Sequence, residues 1–488
     1  MLVYLRRISA FYGEIMKKNF YKRKKYAHFD RKIKIWQGRK FAENPQFVSH
    51  HGFYPFLHFK LKINRFFPDK EDLKERHEPK VRDIYYAAHI DRYIYQYYSH
   101  LLNDAYNKYT DLNHIDNCAV AYRTNKLGQC NINFAEKAFS FLKNCQKALI
   151  IVGDFTSFFD NLDHAYLKEC LQKVLGVDRL SSDWFAVFHN ITNASCVDLE
   201  KIFRYNKDQK DKKLPVTLRQ INKQGIVFSL SKIKKEHPNW IKPAPELFKH
   251  YGIPQGSPIS GVLANVYMIE FDKAMQDVCD ASGAFYMRYS DDFIFIVPNL
   301  GEDEIRDKLN VVFSITKLIG DKGKLELKPE KTRCAYFIDK SIYAINENGE
   351  FLNDENKNRI KVFVNFLGFK FDGQCVDFRD KTRQKNYNKI SHKARRLYKL
   401  KKGFKRRKDE SKVPISLKGV NKVFAPVYRI DENGKRKSTF NSYMKRSMAI
   451  FSGEEIIKKS FIDRKKRLSK IINRTIINVN KQMSKKTK

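Results

Sequence analysis

The clearest pattern of apolar and polar positions runs from Phe285 to Val297. Two runs, Phe285 to Arg288 and Phe293 to Val297, flank the polar tetrad Tyr289, Ser290, Asp291, Asp292. This predicts a β-hairpin with carboxylates at its tip. Alternation sends Phe293, Phe295 and Val297 to one face of a sheet and Ile294 and Ile296 to the other, so both faces are expected to be buried. Ala148 to Val152 is a shorter apolar run of buried-strand length, and it delivers Gly153 and Asp154. Asp163 is the expected N-cap of the next helix, in which Leu167, Cys170, Leu171, Val174 and Leu175 recur at helical spacing until Gly176 ends it.

Elsewhere FLHFKLKINRFF alternates as a strand, followed by an acidic turn at Asp69 to Asp72. Lys80 and Arg82 stand at i and i+2, so on a strand both project to one side and can grip an anionic ligand such as a triphosphate. Ile90, Tyr93, Ile94, Tyr97 and Leu101 then mark an amphipathic helix, and a loop around Arg123 leads into another. Residues 178–250 are polar and basic, with a Lys-rich loop at Lys207 to Lys213. In HYGIPQGSPISGVLANVYMIEF, Ser257 before Pro258 is the expected N-cap of a helix striped by Ile259, Val262, Leu263, Val266, Tyr267 and Phe271. A helix over Asp303 to Ile319, a strand after Lys331 and a hairpin at VNFLGFKF complete the predicted elements.

Charge changes this picture most. The chain of 488 residues carries 95 Lys and Arg against 54 Asp and Glu, a net +41, with 26 Tyr and 38 Phe. Cations for phosphates interleaved with rings for bases are the composition of a nucleic-acid-binding protein. Val376 to Lys488 holds 36 basic and 9 acidic residues, a net +27, in helical segments with apolar and basic faces. No apolar run reaches the roughly 18 residues that span a bilayer, and the first apolar stretch is too short for a secretory signal. Eight scattered cysteines form neither a CxxC pair nor a zinc-spaced cluster, so reduced thiols in a cytoplasmic protein are expected.

Two adjacent Asp between buried strands need a positive partner, because unpaired buried carboxylates cost several kcal/mol. Oxygen-only ligands point to Mg²⁺, with Mn²⁺ as an alternative. If the strand ending at Asp154 lies beside the hairpin, Asp154, Asp291 and Asp292 can hold two ions about 3.5–4 Å apart, the geometry of nucleotidyl transfer.

The segments DFTSFFDNLDH, GIPQGSPISGVLAN, RYSDDF, LELKPEKT and FLGF, in that order, resemble the palm motifs of reverse transcriptases, particularly the bacterial lineage of group II intron and retron enzymes. The resemblance covers roughly residues 78–371 and implies an α+β right-hand polymerase. Its expected parts are a basic extension (1–70), fingers (71–147), a palm (148–375) with an insertion at about 178–250, and a basic helical thumb-like region (376–488). It implies that Asp154 and Asp291 bind both metals, with Asp292 and the carbonyl of Phe155 contributing, and that Lys331 protonates pyrophosphate. Phe159 stands where the family blocks a ribose 2′-hydroxyl. Gln255 and Gly256 would line the incoming nucleotide, Lys80 and Arg82 would hold its triphosphate, and Arg123 belongs to a weaker fingers match. Phe366, Leu367, Gly368 and Phe369 resemble the primer grip. Arg395, Arg396, Lys401, Lys402, Lys405, Arg406 and Arg407 are the expected nucleic-acid contacts of the basic region.

Ser290 departs from the alanine usual in the intron and retron enzymes. No maturase, endonuclease or integrase motif follows FLGF, which is similar to the domesticated defence-associated and abortive-infection reverse transcriptases. The expected partners are an RNA template, in particular a dedicated noncoding RNA, the DNA product and deoxynucleotides, with no membrane. Homo-oligomerisation is left open. Alternatives are a retron or intron-derived polymerase, a template-independent or protein-primed synthase, and an inactive RNA-binding scaffold.

Overall fold

The computed structural model describes residues 20–63, 79–209, 214–243, 250–323, 325, 327, 332–407, 428–430 and 436–484. The chain forms two compact units. One comprises Met1–Lys126, Asp154–Asp277 and Val312–Lys328, the other Leu127–Gly153, Val278–Val311 and Pro329–Lys488. In chain order the strands are β1 (Phe56–Ile63), β2 (Lys80–Tyr86), β3 (Lys147–Asp154), β4 (Ser195–Asp198), β5 (Ile241–Pro243), β6 (Phe285–Tyr289), β7 (Asp292–Pro298), β8 (Arg333–Ile338), β9 (Ser341–Ile345), β10 (Val364–Phe366), β11 (Phe369–Phe371), β12 (Val376–Phe378), β13 (Tyr428–Ile430) and β14 (Arg436–Ser438). The helices that matter below are α1 (His89–Leu112), α2 (Asn131–Lys143), α3 (His164–Leu175), α4 (Leu199–Asp208), α5 (Leu218–Gln224), α6 (Leu230–Glu236), α7 (Ser260–Tyr267), α8 (Ile269–Ser282), α9 (Ile305–Gly323), α10 (Asp380–Arg407), α11 (Phe440–Ile450) and α12 (Glu455–Ser484).

In the first unit a sheet of order β2-β1-β4-β5 forms from distant segments. β1 and β2 pair antiparallel with Leu57 opposite Tyr86, and β4 runs parallel to β1 with Phe56 opposite Cys196. The stretch expected as an insertion therefore supplies two strands to the sheet begun by β1 and β2. Below it, Ala27, Phe29, Leu57, Val197, Leu199, Ile202, Ile221, Val227 and Ile233 make a closed apolar core. Residues near the start of the chain are stitched into it, the amide of Ala27 donating to Asn222 Oδ1 (2.8 Å) and that of Val227 to the carbonyl of His28 (3.0 Å).

Tyr93, Ile94, Tyr95, Tyr97 and Tyr98 bury the inner face of α1. Its N-terminus is capped from elsewhere: the Asp30 carboxylate accepts the amides of His89 (2.9 Å) and Ile90 (3.0 Å), two of the donors a helix start leaves open. Asp163 caps α3 as expected, accepting from the Tyr166 amide at 2.8 Å, and Gly176 ends it at φ +67°. The helix expected from Ser257 begins instead at Ser260. Ser260 Oγ donates to the Pro254 carbonyl (2.8 Å), so the chain turns through Pro258 and Ile259 before it can wind.

The second unit is organised on a sheet of order β6-β7-β3-β8-β9. Phe293 through Val297 are all buried, as the two-faced pattern of β7 requires. Beside it in the chain, β10, β11 and β12 form a small antiparallel sheet. The basic C-terminal region is helical as expected, α10 and α12 packing together. The β13–β14 hairpin there was not anticipated. Five of the eight cysteines are buried and all are free. No helix among the described residues is long and apolar enough to cross a membrane.

Candidate active site

The hairpin tip is a two-residue loop, since Tyr289 pairs with Asp292 across β6 and β7. Its first residue, Ser290, has φ +63°, the left-handed value that two-residue hairpin loops demand there. Arg288 is wholly buried and its Nη1 donates to the Ser290 carbonyl at 2.9 Å. The loop is thus held from beneath. Asp291 is half-buried and Asp292 exposed.

β3 lies next to β7 in the sheet. The amide of Asn299 donates to the carbonyl of Lys147 (2.8 Å) where β3 begins. At the other end of the pair, Gly153 lies on the ring of Phe293, where any Cβ would overlap the ring. The two strands therefore run antiparallel. Gly153 is glycine because β3 must close flush on Phe293, a requirement the sequence hinted at only by placing it between a buried strand and an acid. Half-buried Asp154 is the last residue of β3. Phe155 and Phe158 are core residues, and Phe155 bridges to Leu327, whereas Phe159 is half-exposed.

In the first unit, residues 159–164 and 250–253 are laced together by backbone hydrogen bonds that periodicity could not foretell. Ile253 N–H donates to the Phe159 carbonyl (2.8 Å), Gly252 N–H to Leu162 (2.8 Å) and His164 N–H to His250 (2.9 Å). The His164 ring adds a bond from Nε2 to the Gly252 carbonyl at 2.7 Å. Gly252, at φ +85°, presses on the backbone of Asp160, 2.8 Å from where a Cβ would stand. Burial, and then the nearby charge of Asp83, pushes the Asp160 carboxyl above its ordinary range.

The Gln255 carbonyl accepts the amide of Tyr85 on β2 (2.9 Å), and Gly256, at φ +125°, packs on the Tyr85 carbonyl where a Cβ has no room. Ile84 flanks Gly256, so the Lys80, Arg82, Ile84 face of β2 is the one it meets. Lys80 is half-buried and Arg82 exposed. Asp83, on the opposite face, is held by His58 Nε2 at 2.7 Å.

Arg123 is a structural residue. Its side chain is fully buried and bonds Asn107 (2.7 Å), Thr110 (2.9 Å), the Ala119 carbonyl (2.9 Å) and Asp116. Lys331 lies outside the described residues. In the second unit, Phe366 and Phe369 are buried, and Leu367 (φ +46°) and Gly368 (φ +95°) form the hairpin tip between them. Asn131 Nδ2 of α2 donates to the Leu367 carbonyl (2.9 Å) and to the Tyr443 hydroxyl of α11 (3.1 Å). Arg395, Arg396, Lys401, Lys402, Lys405, Arg406 and Arg407 all lie along α10, with Arg395 half-buried.

Among the described residues, no three His, Cys, Asp or Glu side chains form a group that could hold a metal ion. The donor set at the ends of β3 and β7 is nevertheless all oxygen, which suits a hard divalent cation.

Comparison with curated proteins gave no match. Solved structures similar to the chain include apo telomerase from Candida tropicalis truncated from its C-terminal domain, at 14% identity over 71% of this chain and 60% of that one, TM-score 0.36. Another is telomerase from Candida albicans in complex with a TWJ fragment of telomeric RNA, at 12% identity over 91% and 64%, TM-score 0.35. The chain spans less than two thirds of the length of either. The family model described as reverse transcriptase (RNA-dependent DNA polymerase) matches residues 92–371, which include Asp154, Gln255, the hairpin acids and Phe366 to Phe369. The chain belongs to the reverse transcriptase family and has its α+β right-hand polymerase fold.

Proposed function

We propose that Asp154, Asp291 and Asp292 form the metal-binding centre of an RNA-templated DNA polymerase, with Mg²⁺ as its ion. The observation that carries this is the register of β3 on β7. Lys147 meets Asn299 and Gly153 meets Phe293, so one further step leads to Asp154 and Asp292, the residues with which β3 ends and β7 begins. When bound, two divalent ions lower the pKa of the attacking 3′-hydroxyl and neutralise the pyrophosphate leaving group.

The chain's own residues do the rest. Lys80 and Arg82 grip the triphosphate from β2, the face that meets Gly256. The ring of Phe159, fixed through its carbonyl to Ile253, fills the space a 2′-hydroxyl would need and selects deoxynucleotides. The turn at Leu367 and Gly368, tied by Asn131 and Tyr443, supports the primer, while the basic face of α10 follows the duplex phosphates.

Primer extension on an RNA template tests the centre. Asp154→Asn and Asp291→Asn should each lower deoxynucleotide incorporation by at least about 10²-fold, the scale of a lost transition-state charge partner, with RNA affinity retained. Incorporation at the wild-type rate would overturn the assignment.

The finer setting we infer is a dedicated noncoding RNA template in bacterial antiphage defence, supported by the wording of the five motifs. Plaque counts on cells carrying wild type or Asp291→Asn check it. Protection lost with the variant is the expected result, and equal plaquing of both strains contradicts it.

A further inference from the structure

We propose that a cluster of half-exposed rings in the first unit, Tyr205, Phe228, His237 and Trp240, is a stacking platform for unpaired RNA bases, separate from the nucleotide site. His237 lies flat on Trp240, centroids 4.1 Å apart and planes within 7°. Tyr205, on α4, stands steeply inclined to both at 4.9 and 5.5 Å, and Phe228 meets Tyr205 edge-on at 5.8 Å. Phe228 and Trp240 rest on the core beneath, which fixes them, yet all four rings remain half-exposed. By contrast, Tyr93, Tyr95 and Tyr98, rings sunk wholly in the core, are 2% exposed or less.

The surroundings select the occupant. Residues 199–243 contain 12 Lys and Arg against 4 Asp and Glu. Arg204, Lys207, Lys232, Lys234 and Lys235 are exposed around the rings' own helices. The acids that do pair here, Glu200 with Arg204 (3.7 Å) and Glu236 with Lys232 (3.5 Å), make exposed bridges that a phosphate can displace. Rings for base faces beside cations for phosphates is the design of single-strand binding sites. A protein partner fits poorly, because lysine is depleted at the centre of protein interfaces.

Trp240 immediately precedes β5, the edge of the sheet opposite β2, with β1 and β4 between. At about 4.8 Å per strand this sets the rings roughly 14 Å from the strand of Lys80 and Arg82. One nucleotide cannot occupy both, so the platform takes unpaired template beyond the copied base. RNA is the occupant because the template of this family is RNA. The inference rests on family membership and not on the roles given to Asp154 and Asp291.

The test uses the full chain carrying Trp36→Phe and Trp184→Phe, which leaves Trp240 as its one tryptophan. Its fluorescence is titrated with a single-stranded RNA oligonucleotide, the same RNA closed as a hairpin duplex, and DNA of the same sequence, without nucleotide or metal. Single-stranded RNA should quench Trp240. Tyr205→Ala should weaken that binding about 5- to 150-fold, the 1–3 kcal/mol of a stacked base, and leave duplex binding unchanged. Lys234→Glu with Lys235→Glu, both exposed and remote from the core, should weaken it without loss of fold. Absence of quenching, wild-type affinity in both variants, or equal losses for duplex would overturn the platform. DNA that binds as tightly, with the same loss in Tyr205→Ala, would overturn the choice of RNA. Asp291→Asn protein should quench normally, so failure of the polymerase centre reads out separately.

Discussion

At the scale of single residues, three glycines mark where the backbone has no room to spare. Gly153 lies under Phe293, Gly252 on Asp160 and Gly256 on Tyr85, the last two also at positive φ. Gly256→Ala should lower the melting temperature by several degrees, since forcing a side chain into such a conformation costs of order 1–3 kcal/mol. Because Gly256 sets the Tyr85–Gln255 contact, the same variant should raise KM for deoxynucleotides, and an unchanged KM would remove it from the nucleotide site. Arg123 makes a contrasting case, being fully saturated by neighbours. Although burial works against ionisation of Asp116, its bonds to Lys126 and Asn125 and the charge of Arg123 prevail and hold the carboxyl down at about 2. A depressed carboxyl contributes stability that is whole above about pH 4 and drains away as pH falls towards 2. Arg123→Met should shallow that acid-limb slope in thermal unfolding without removing it, since Lys126 and Asn125 still hold Asp116, and should cost about 1–3 kcal/mol at neutral pH by leaving buried partners of the guanidinium unbonded.

At the scale of elements, strands with two apolar faces and long striped helices were legible in the sequence. β3, β7, α1, α3 and the tip at Leu367–Gly368 stand where alternation and turn chemistry put them. What was hidden is non-local. β4 and β5 are four and three residues long, too short for any period to register, and they exist because β1 offers an edge. The late start of α7 was missed because a Ser-Pro pair satisfies the rules for a cap, whereas the turn through Gly256 delays winding to Ser260. The acids of the hairpin announced themselves by local contrast, but the lacing of 159–164 onto 250–253 carries no sequence signal beyond its glycine. The cap on α1 is similarly remote: Asp30→Ala should cost about 1–2 kcal/mol by freeing the amides of His89 and Ile90, measurable by chemical denaturation. Next to it, complete burial lowers His28 to about 3, its Nε2 bonded to the Tyr86 carbonyl at 3.1 Å. This group stabilises the fold fully above pH 6.5 and its contribution falls as pH drops below that, by about 1.4 kcal/mol per pH unit. Thermal melts between pH 7 and 5 should show the decline in wild type and a flatter curve in His28→Gln.

At the scale of the whole molecule, charge dominates. A net +41 weighted towards the C-terminal region predicts RNA affinity that falls steeply with salt, about 10³-fold or more between 50 and 200 mM if six or more phosphates are engaged. A titration that stays flat over that range would mean that the basic helices do not track a phosphate backbone. The pairing of His28 with Ile226 has a further bearing, on biosynthesis. About two hundred residues separate the two, and at roughly 5–20 residues per second a ribosome needs some 10–40 s to make the second after the first. Throughout that interval Ala27 and Phe29 lack the part of their core that Ile221, Val227 and Ile233 supply. Pausing codons placed before position 226 should therefore depress soluble yield, and the same codons placed after position 243 should not.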